Sequence, residues 1–222
     1  MTSVFRNTAQ LTFDEYIQNI SIRVGMSPTS IQNLWRTPSG NEIIRPDAFP
    51  NPSKKSVAHL GELIFKMQLH PGEHAVRLWA TMSESIHSEL TPEGLTKLPA
   101  LISSGEVKVL SLRRLIFSIL VGGSTTSYFG DELLKIEPHL LEHFESFDES
   151  SWKLSYRVPK PWAKDMLSAM NKLSTALQRY AERSKERRAE ACWMIQTLEG
   201  EFRGANLESR DIGLQLLMIY WV

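Results

Sequence analysis

A chain of 222 residues with 42% apolar and 23% charged side chains is long enough to bury a real core, and its composition excludes disordered, collagen-like and disulfide-scaffold classes. Its 25 Lys and Arg balance 25 Asp and Glu, which argues against nucleic acid or an anionic membrane surface as the main partner. One cysteine, Cys192, rules out an internal disulfide and a cysteine-rich zinc site.

The segment Met1–Gln10 lacks the apolar core of a secretory signal. No apolar run approaches the roughly 18–20 residues of a transmembrane helix. A cytoplasmic location is therefore expected for the chain as given.

Helical periodicity dominates. Thr12 and Glu15 have capping-box spacing, followed by Tyr16, Ile17, Ile20 and Val24 on one face. The sequon Asn19-Ile-Ser21 falls inside this helix, where chance accounts for it. Ser27-Pro28 opens a short helix carrying Ile31, Leu34 and Trp35. From about 37 to 52 the chain turns to Pro, Asn, Gly and Ser and reads as a loop or linker.

Ser53 is placed as the cap of the next helix, with Val57, Leu60, Ile64 and Met67. Pro71-Gly72 separates it from another that aligns Val76, Trp79, Met82, Ile86 and Leu90. Residues 91–105 read as loop, and Val107–Leu110 as a short strand. Ser111 opens the most apolar internal helix, closed by Gly130. Helices follow at about 137–150, 161–183 and 187–203, and a last one starts at Ser209. That last stretch, Leu214–Val222, has neither a cap nor a basic final turn, so the chain is expected to be a piece of a longer design. The fold class expected is mainly α, with no internal repeat.

His139-Leu-Leu-Glu-His143 matches the His-x-x-Glu-His pattern of a zinc peptidase class, with His139 and His143 as ligands and Glu142 as general base. Pro138 puts His139 in the first turn, no third ligand segment is visible, and Leu140, Leu141 and Phe144 explain the helix by packing alone. Gly122-Gly-Ser-Thr-Thr126 lacks the Lys of a phosphate-binding loop and the acid of an oxygen-activating turn. Close helix packing explains it better. Cys192 lacks the electropositive setting that activates a thiol and reads as an inert buried residue, although Arg187 and Arg188 are near in sequence. Glu42 and Arg45 suit an ordinary ion pair. The six tryptophans, at 35, 79, 152, 162, 193 and 221, read as core packing rather than a base-stacking platform.

Read in order, several segments resemble the cytochrome P-450 (haem-thiolate monooxygenase) family, and within it fungal members allied with prostacyclin synthase and the sterol 7- and 12-hydroxylases. They are Lys55, His59-Leu60-Gly61, Gln68-Leu-His-Pro-Gly72, Ser124-Thr-Thr with Phe129-Gly130, and Phe147-Asp148 with Trp152. Lys164-Asp-Met166 and Arg210-Asp-Ile212 leading to Leu217–Val222 complete the set. The resemblance spans most of the chain. It implies that residues 1–222 form a partial domain, the helical region on the substrate side of the haem, with the carboxy-terminal half of the fold absent.

It further implies that Met218 and Trp221 border the substrate pocket, that the substrate is a lipophilic small molecule such as a sterol or secondary metabolite, and that an NADPH-dependent reductase is the partner. Family members are usually anchored to the endoplasmic reticulum membrane, and the amino-terminal anchor has no counterpart here. The sequence departs from the family pattern in lacking the Phe-x-x-Gly loop with its cysteine and the later Glu-x-x-Arg element. Leu115 and Phe117 stand where a Trp/Arg pair often meets the haem propionates, leaving Arg113 and Arg114 as donors or as a solvated face. No stable haem binding, no catalytic residue and no metal ligand is therefore expected in this chain. The alternatives are a non-catalytic helical interaction or regulatory protein and, more remotely, the zinc peptidase.

Overall fold

The computed structural model describes residues 13–39, 45–96, 102–104 and 107–221. Twelve α-helices occupy these residues, in chain order α1 Asp14–Val24, α2 Pro28–Trp35, α3 Val57–Leu69, α4 Glu73–Glu89, α5 Pro92–Thr96, α6 Leu112–Phe129, α7 Glu132–Ile136, α8 Leu140–Ser150, α9 Trp152–Ser155, α10 Lys164–Ala181, α11 Trp193–Gly204 and α12 Ser209–Trp221. One antiparallel hairpin, β1 Ile102–Ser104 with β2 Val107–Val109, pairs Ile102 with Val109. The fold is mainly α.

The centre is α12. Asp211, Ile212, Gly213, Leu214, Leu216, Leu217 and Tyr220 are buried, so nearly its whole circumference is covered rather than one stripe. Its main neighbour, α10, presents Met166, Ala169, Met170, Leu173, Ala176, Leu177 and Tyr180 at the three- and four-residue steps of a single helical face. Gly213 lets the two backbones meet: a Cβ there would lie 2.7 Å from the Gln178 amide nitrogen and 2.8 Å from the Ser174 carbonyl oxygen. Helices α8, with Leu140, Phe144 and Phe147 buried, and α7, with Leu133 and Ile136, also pack on α10, and Phe144 of α8 meets the Tyr220 ring of α12 at 4.5 Å. Helix α6 packs on α4, where Gly123 lies close to Met82, Ser85 and Ile86. Cβ atoms at Gly122 and Gly123 would make ordinary van der Waals contacts at 3.7 Å with side chains of α8 and α4, and the Thr125 and Ser127 hydroxyls bond carbonyls of their own helix.

Two polar devices fix α12 and its flank. The Asp211 carboxylate, buried in the first turn where the helix dipole favours an anion, accepts the Ser27 hydroxyl proton at 2.6 Å and the Ser27 N–H at 3.3 Å. Ser27 in turn caps α2 through the Ser30 N–H. At the other end, Thr125 of α6 hydrogen-bonds the buried Tyr220 hydroxyl, and Phe129 meets the Tyr220 ring edge-on at 5.5 Å.

Several boundaries differ from the periodic reading. Thr12 and Glu42 lie outside the described residues. Ser56, not Ser53, caps α3 through the His59 N–H, because Ser53-Lys-Lys is held in a turn by Asn51. The run 187–203 is not one helix: a 3₁₀ turn, Lys185–Arg188, precedes α11, whose first residue is Trp193. The expected loop 91–105 holds α5 and β1.

On α1, Ile20 and Val24 are buried while Tyr16 and Ile17 are exposed. On α4 the inward residues are Ala75 and Leu78, and Val76 and Trp79 are more than half exposed. Trp152 and Trp162 are exposed as well, so core packing accounts for only part of the tryptophan set.

Gly213→Ala should overpack the α10–α12 contact and lower the unfolding free energy by about 1–3 kcal/mol. Gly200→Ala, with nothing within 4 Å of the new methyl, should be neutral or stabilising by about 0.5–1 kcal/mol. Urea denaturation of the two variants beside the parent chain tests both; equal midpoints for the pair contradict the close contact.

Candidate functional site

Three clefts open on the face formed by α1–α3, α11 and the 45–55 loop. The first, about 520 Å³, is bounded by Phe49, Val57, Leu60, Lys54, Lys55 and Glu201, among others. The second, about 230 Å³, is mainly apolar and lies among Ile17, Trp35, Val57, Phe65, Phe202 and Ile219. The third, about 740 Å³ and open, lies between the 47–52 loop, α3 and Trp193.

The wall of the first cleft is built by one ion pair. Arg45 reaches over Gly204, donating to the Gly200 carbonyl at 2.7 Å and to Glu201 Oε1 at 2.9 Å. The same oxygen of Glu201 accepts the Phe49 N–H at 2.8 Å. Arg45 therefore tethers the proline-rich loop to the end of α11, and the expected pair with Glu42 lies outside the described residues.

Beside the second cleft, Ser56, His59 and Asp14 form a chain of contacts. Ser56 Oγ lies 2.7 Å from His59 Nδ1, and His59 Nε2 lies 3.2 Å from both Asp14 oxygens. The residue types are those of a nucleophile, base and orienter. Their arrangement is not catalytic: Ser56 is 3% exposed, caps α3, and is absent from the cleft lining. The sequence signal for this chain is only Ser-x-x-His within α3's first turn, and nothing in it points to Asp14.

The predicted site residues lie apart from these clefts. Met218 and Trp221 are half-buried on the last turn of α12, Trp221 with its ring edge-on to Phe147 at 5.5 Å, and neither lines any of the three. His139 sits at the N-cap position of α8, paired with Glu142 at 3.2 Å on the exposed side, while His143 turns to Glu137 at 3.8 Å. The carboxylate of the motif thus lies against one imidazole instead of joining both at a common point. Among the described residues no group of three His, Cys, Asp or Glu side chains is arranged to hold a metal ion.

Arg113 is an exposed side chain paired with Glu149 and Glu145. Its hydrogen bond to Glu149, then that charge, raises its pKa. Among the described residues no helix is long and apolar enough to cross a membrane.

Cys192 is the N-cap residue of α11, its N–H donating to the Tyr128 carbonyl at 3.0 Å. Burial pushes its thiol up from 9.0 to about 11, outweighing the helix amides of Ile195 and Met194 that favour the thiolate. The only sulfhydryl of the chain is therefore a buried, neutral thiol at physiological pH. Next to it, Met194 N–H donates to Gln68 Oε1 at 3.0 Å, so a buried glutamine from α3 caps α11 where no local side chain does. The indole of Trp193 stacks on His74 at 4.3 Å.

No protein-family model, curated protein or solved structure matches the chain.

A raised thiol pKa makes the folded state hold a proton that the unfolded chain has released, so stability contributed by Cys192 is intact below pH 9 and is lost as pH rises to about 11. Because one pKa unit is worth about 1.4 kcal/mol, Cys192→Ser should flatten that part of the alkaline decline by up to about 3 kcal/mol. Superimposable stability curves of parent and variant across this range contradict a protonated, buried thiol.

Proposed function

We propose that these residues form the substrate-side helical part of a cytochrome P-450-like haem-thiolate monooxygenase that oxidises a lipophilic small molecule of the sterol or secondary-metabolite class. The observation that carries the reading is convergence: segments that carry the resemblance, scattered along the sequence, meet on α12. Thr125 of Ser124-Thr-Thr hydrogen-bonds Tyr220, and Phe129 packs edge-on against the same ring. Phe147 abuts Trp221, and Asp211 of Arg210-Asp-Ile212 anchors the start of the helix.

Two further segments reach α11, where Gln68 caps Met194 and Gly61 lies against Leu198. A helix enclosed on nearly all sides by the others is the role the family's long central helix plays, and the reading assigns that role to α12. Met218 and Trp221 then stand on the part of α12 nearest the family's substrate pocket.

An apolar stripe on α6 also fits. Leu112, Ile116 and Leu120 are spaced four apart and exposed. In the proposal this stripe packs against the haem-binding half of the fold. The same stripe is what a helical interaction protein would offer a partner, and size-exclusion chromatography separates the two: a monodisperse complex with a cellular partner favours the second reading.

In this proposal the chemistry of the bound haem, splitting dioxygen with electrons from an NADPH-dependent reductase, belongs to residues other than these. What the present residues supply is shape and exclusion of water around a lipophilic substrate.

Purified chain, loaded with haemin, reduced and treated with carbon monoxide, should give no thiolate-type absorbance, and Cys192→Ser should leave its spectrum unchanged. Sequencing of the transcript beyond the Val222 codon should reveal further turns of the α12 helix and a cysteine-containing Phe-x-x-Gly loop. Thiolate-type absorbance that Cys192→Ser abolishes, or a transcript without that loop, would overturn the proposal.

A further inference from the structure

The first cleft supports an inference that does not depend on the monooxygenase proposal. Its interior wall is apolar, formed by Phe49, Val57 and Leu60, and its volume of about 520 Å³ suits a small ligand. Its rim is cationic. The wall's carboxylate, Glu201, is already committed to Arg45 at 2.9 Å and to the Phe49 N–H. Lys54 and Lys55 also line the cleft; neither is within 4.0 Å of a carboxylate among the described residues, and Lys55 acts at longer range on Glu62, whose pKa its charge helps to lower.

The two lysines are held by a purpose-shaped turn. Asn51 brackets Lys55 from both sides, its Nδ2 donating to the Lys55 carbonyl at 2.7 Å and its Oδ1 accepting the Lys55 N–H at 2.8 Å. The Asn51 carbonyl also accepts the Lys54 N–H at 3.1 Å. Closing this turn forces Lys54 to a φ of +48°, a conformation a side-chain-bearing residue rarely adopts. A glycine or asparagine would sit there with less strain. Holding a lysine in a strained turn at the mouth of an apolar cavity points to a use for its charge.

We propose that this cleft binds an amphiphilic anion, with Lys54 and Lys55 at a carboxylate or phosphate head group and Phe49, Val57 and Leu60 along its apolar tail. Lysine is a compact, mobile point charge, so the site reads charge and tail rather than head-group geometry. Asn33, which also lines the cleft, adds a neutral hydrogen-bonding group to the rim.

The test is calorimetric titration of the 222-residue chain with decanoate, decyl phosphate and uncharged decanol. Saturable one-to-one binding of decanoate, decyl phosphate or both, at least tenfold tighter than decanol, is expected, and the preferred head group identifies the anion. The double variant Lys54→Gly, Lys55→Gln keeps the turn, since glycine accepts the positive φ, and should weaken anion binding about tenfold or more. Lys172→Ala, on the exposed side of α10, should leave it unchanged. Circular dichroism matched to the parent keeps each variant interpretable. No saturable binding of either anion, decanol binding as tightly, or equal loss in Lys172→Ala overturns the proposal.

Discussion

The molecule depends on a backbone-to-backbone contact. Where Gly213 of α12 crosses Ser174 and Gln178 of α10, no room exists for even a methyl group. That approach brings the whole inward row of α10, from Met166 to Tyr180, into contact with a helix buried on nearly every side. The contact also sets the axial position of α12, and the polar anchors at its two ends fall into register because of it. Asp211 then meets Ser27 at one end and Tyr220 meets Thr125 at the other, so α2 and α6 are placed by the same helix.

A charge cluster centred on a buried ion pair ties the end of α10 to α11. Arg188 and Glu199, both almost fully buried, form a two-pronged pair, and Arg203 shares Glu199 Oε1 at 2.8 Å while donating to the Ala181 carbonyl. Arg188 also donates to the Arg183 carbonyl and lies over the Tyr180 ring at 5.3 Å. Such a cluster adds little net stability compared with apolar packing, yet removing one member strands a buried charge at a cost of about 3–5 kcal/mol. Its effect is positional: it locks the end of α10 to α11 and thereby fixes where Cys192 and Trp193 sit. The Tyr180 hydroxyl, donating to the Phe129 carbonyl at 3.0 Å, has its pKa raised by burial, and Tyr220 is pushed up to about 12 for the same reason. These phenols act as uncharged hydrogen-bonding struts.

Helix content was legible from the sequence because the apolar steps of α10 and the caps at Ser27, Ser111 and Gly130 are local signals. The inward face of α4 was not, since Val76 and Trp79 make as good a stripe as Ala75 and Leu78, and only the partner helix decides between them. The start of α11 was hidden for a related reason. Its capping group is Gln68, 126 residues away, so the region around Arg188 reads as a continuous helix until the buried ion cluster is seen. The metal-like motif at 139–143 had sound spacing, but His139 pairs with Glu142 and His143 with Glu137, so the two imidazoles face different carboxylates. The clefts were invisible in the sequence, because Arg45 and Glu201 become neighbours only through the tertiary fold. The frame is thus built on α10–α12, while two of the clefts open beside the 45–55 loop.

Amide hydrogen exchange followed residue by residue tests the organising role of α12 most directly. Residues 212–217 and the facing amides of α10 should exchange only through global unfolding, with the slowest rates in the chain. Exchange of α12 through a local opening well below the global unfolding free energy, while α8 and α10 stay protected, would contradict it.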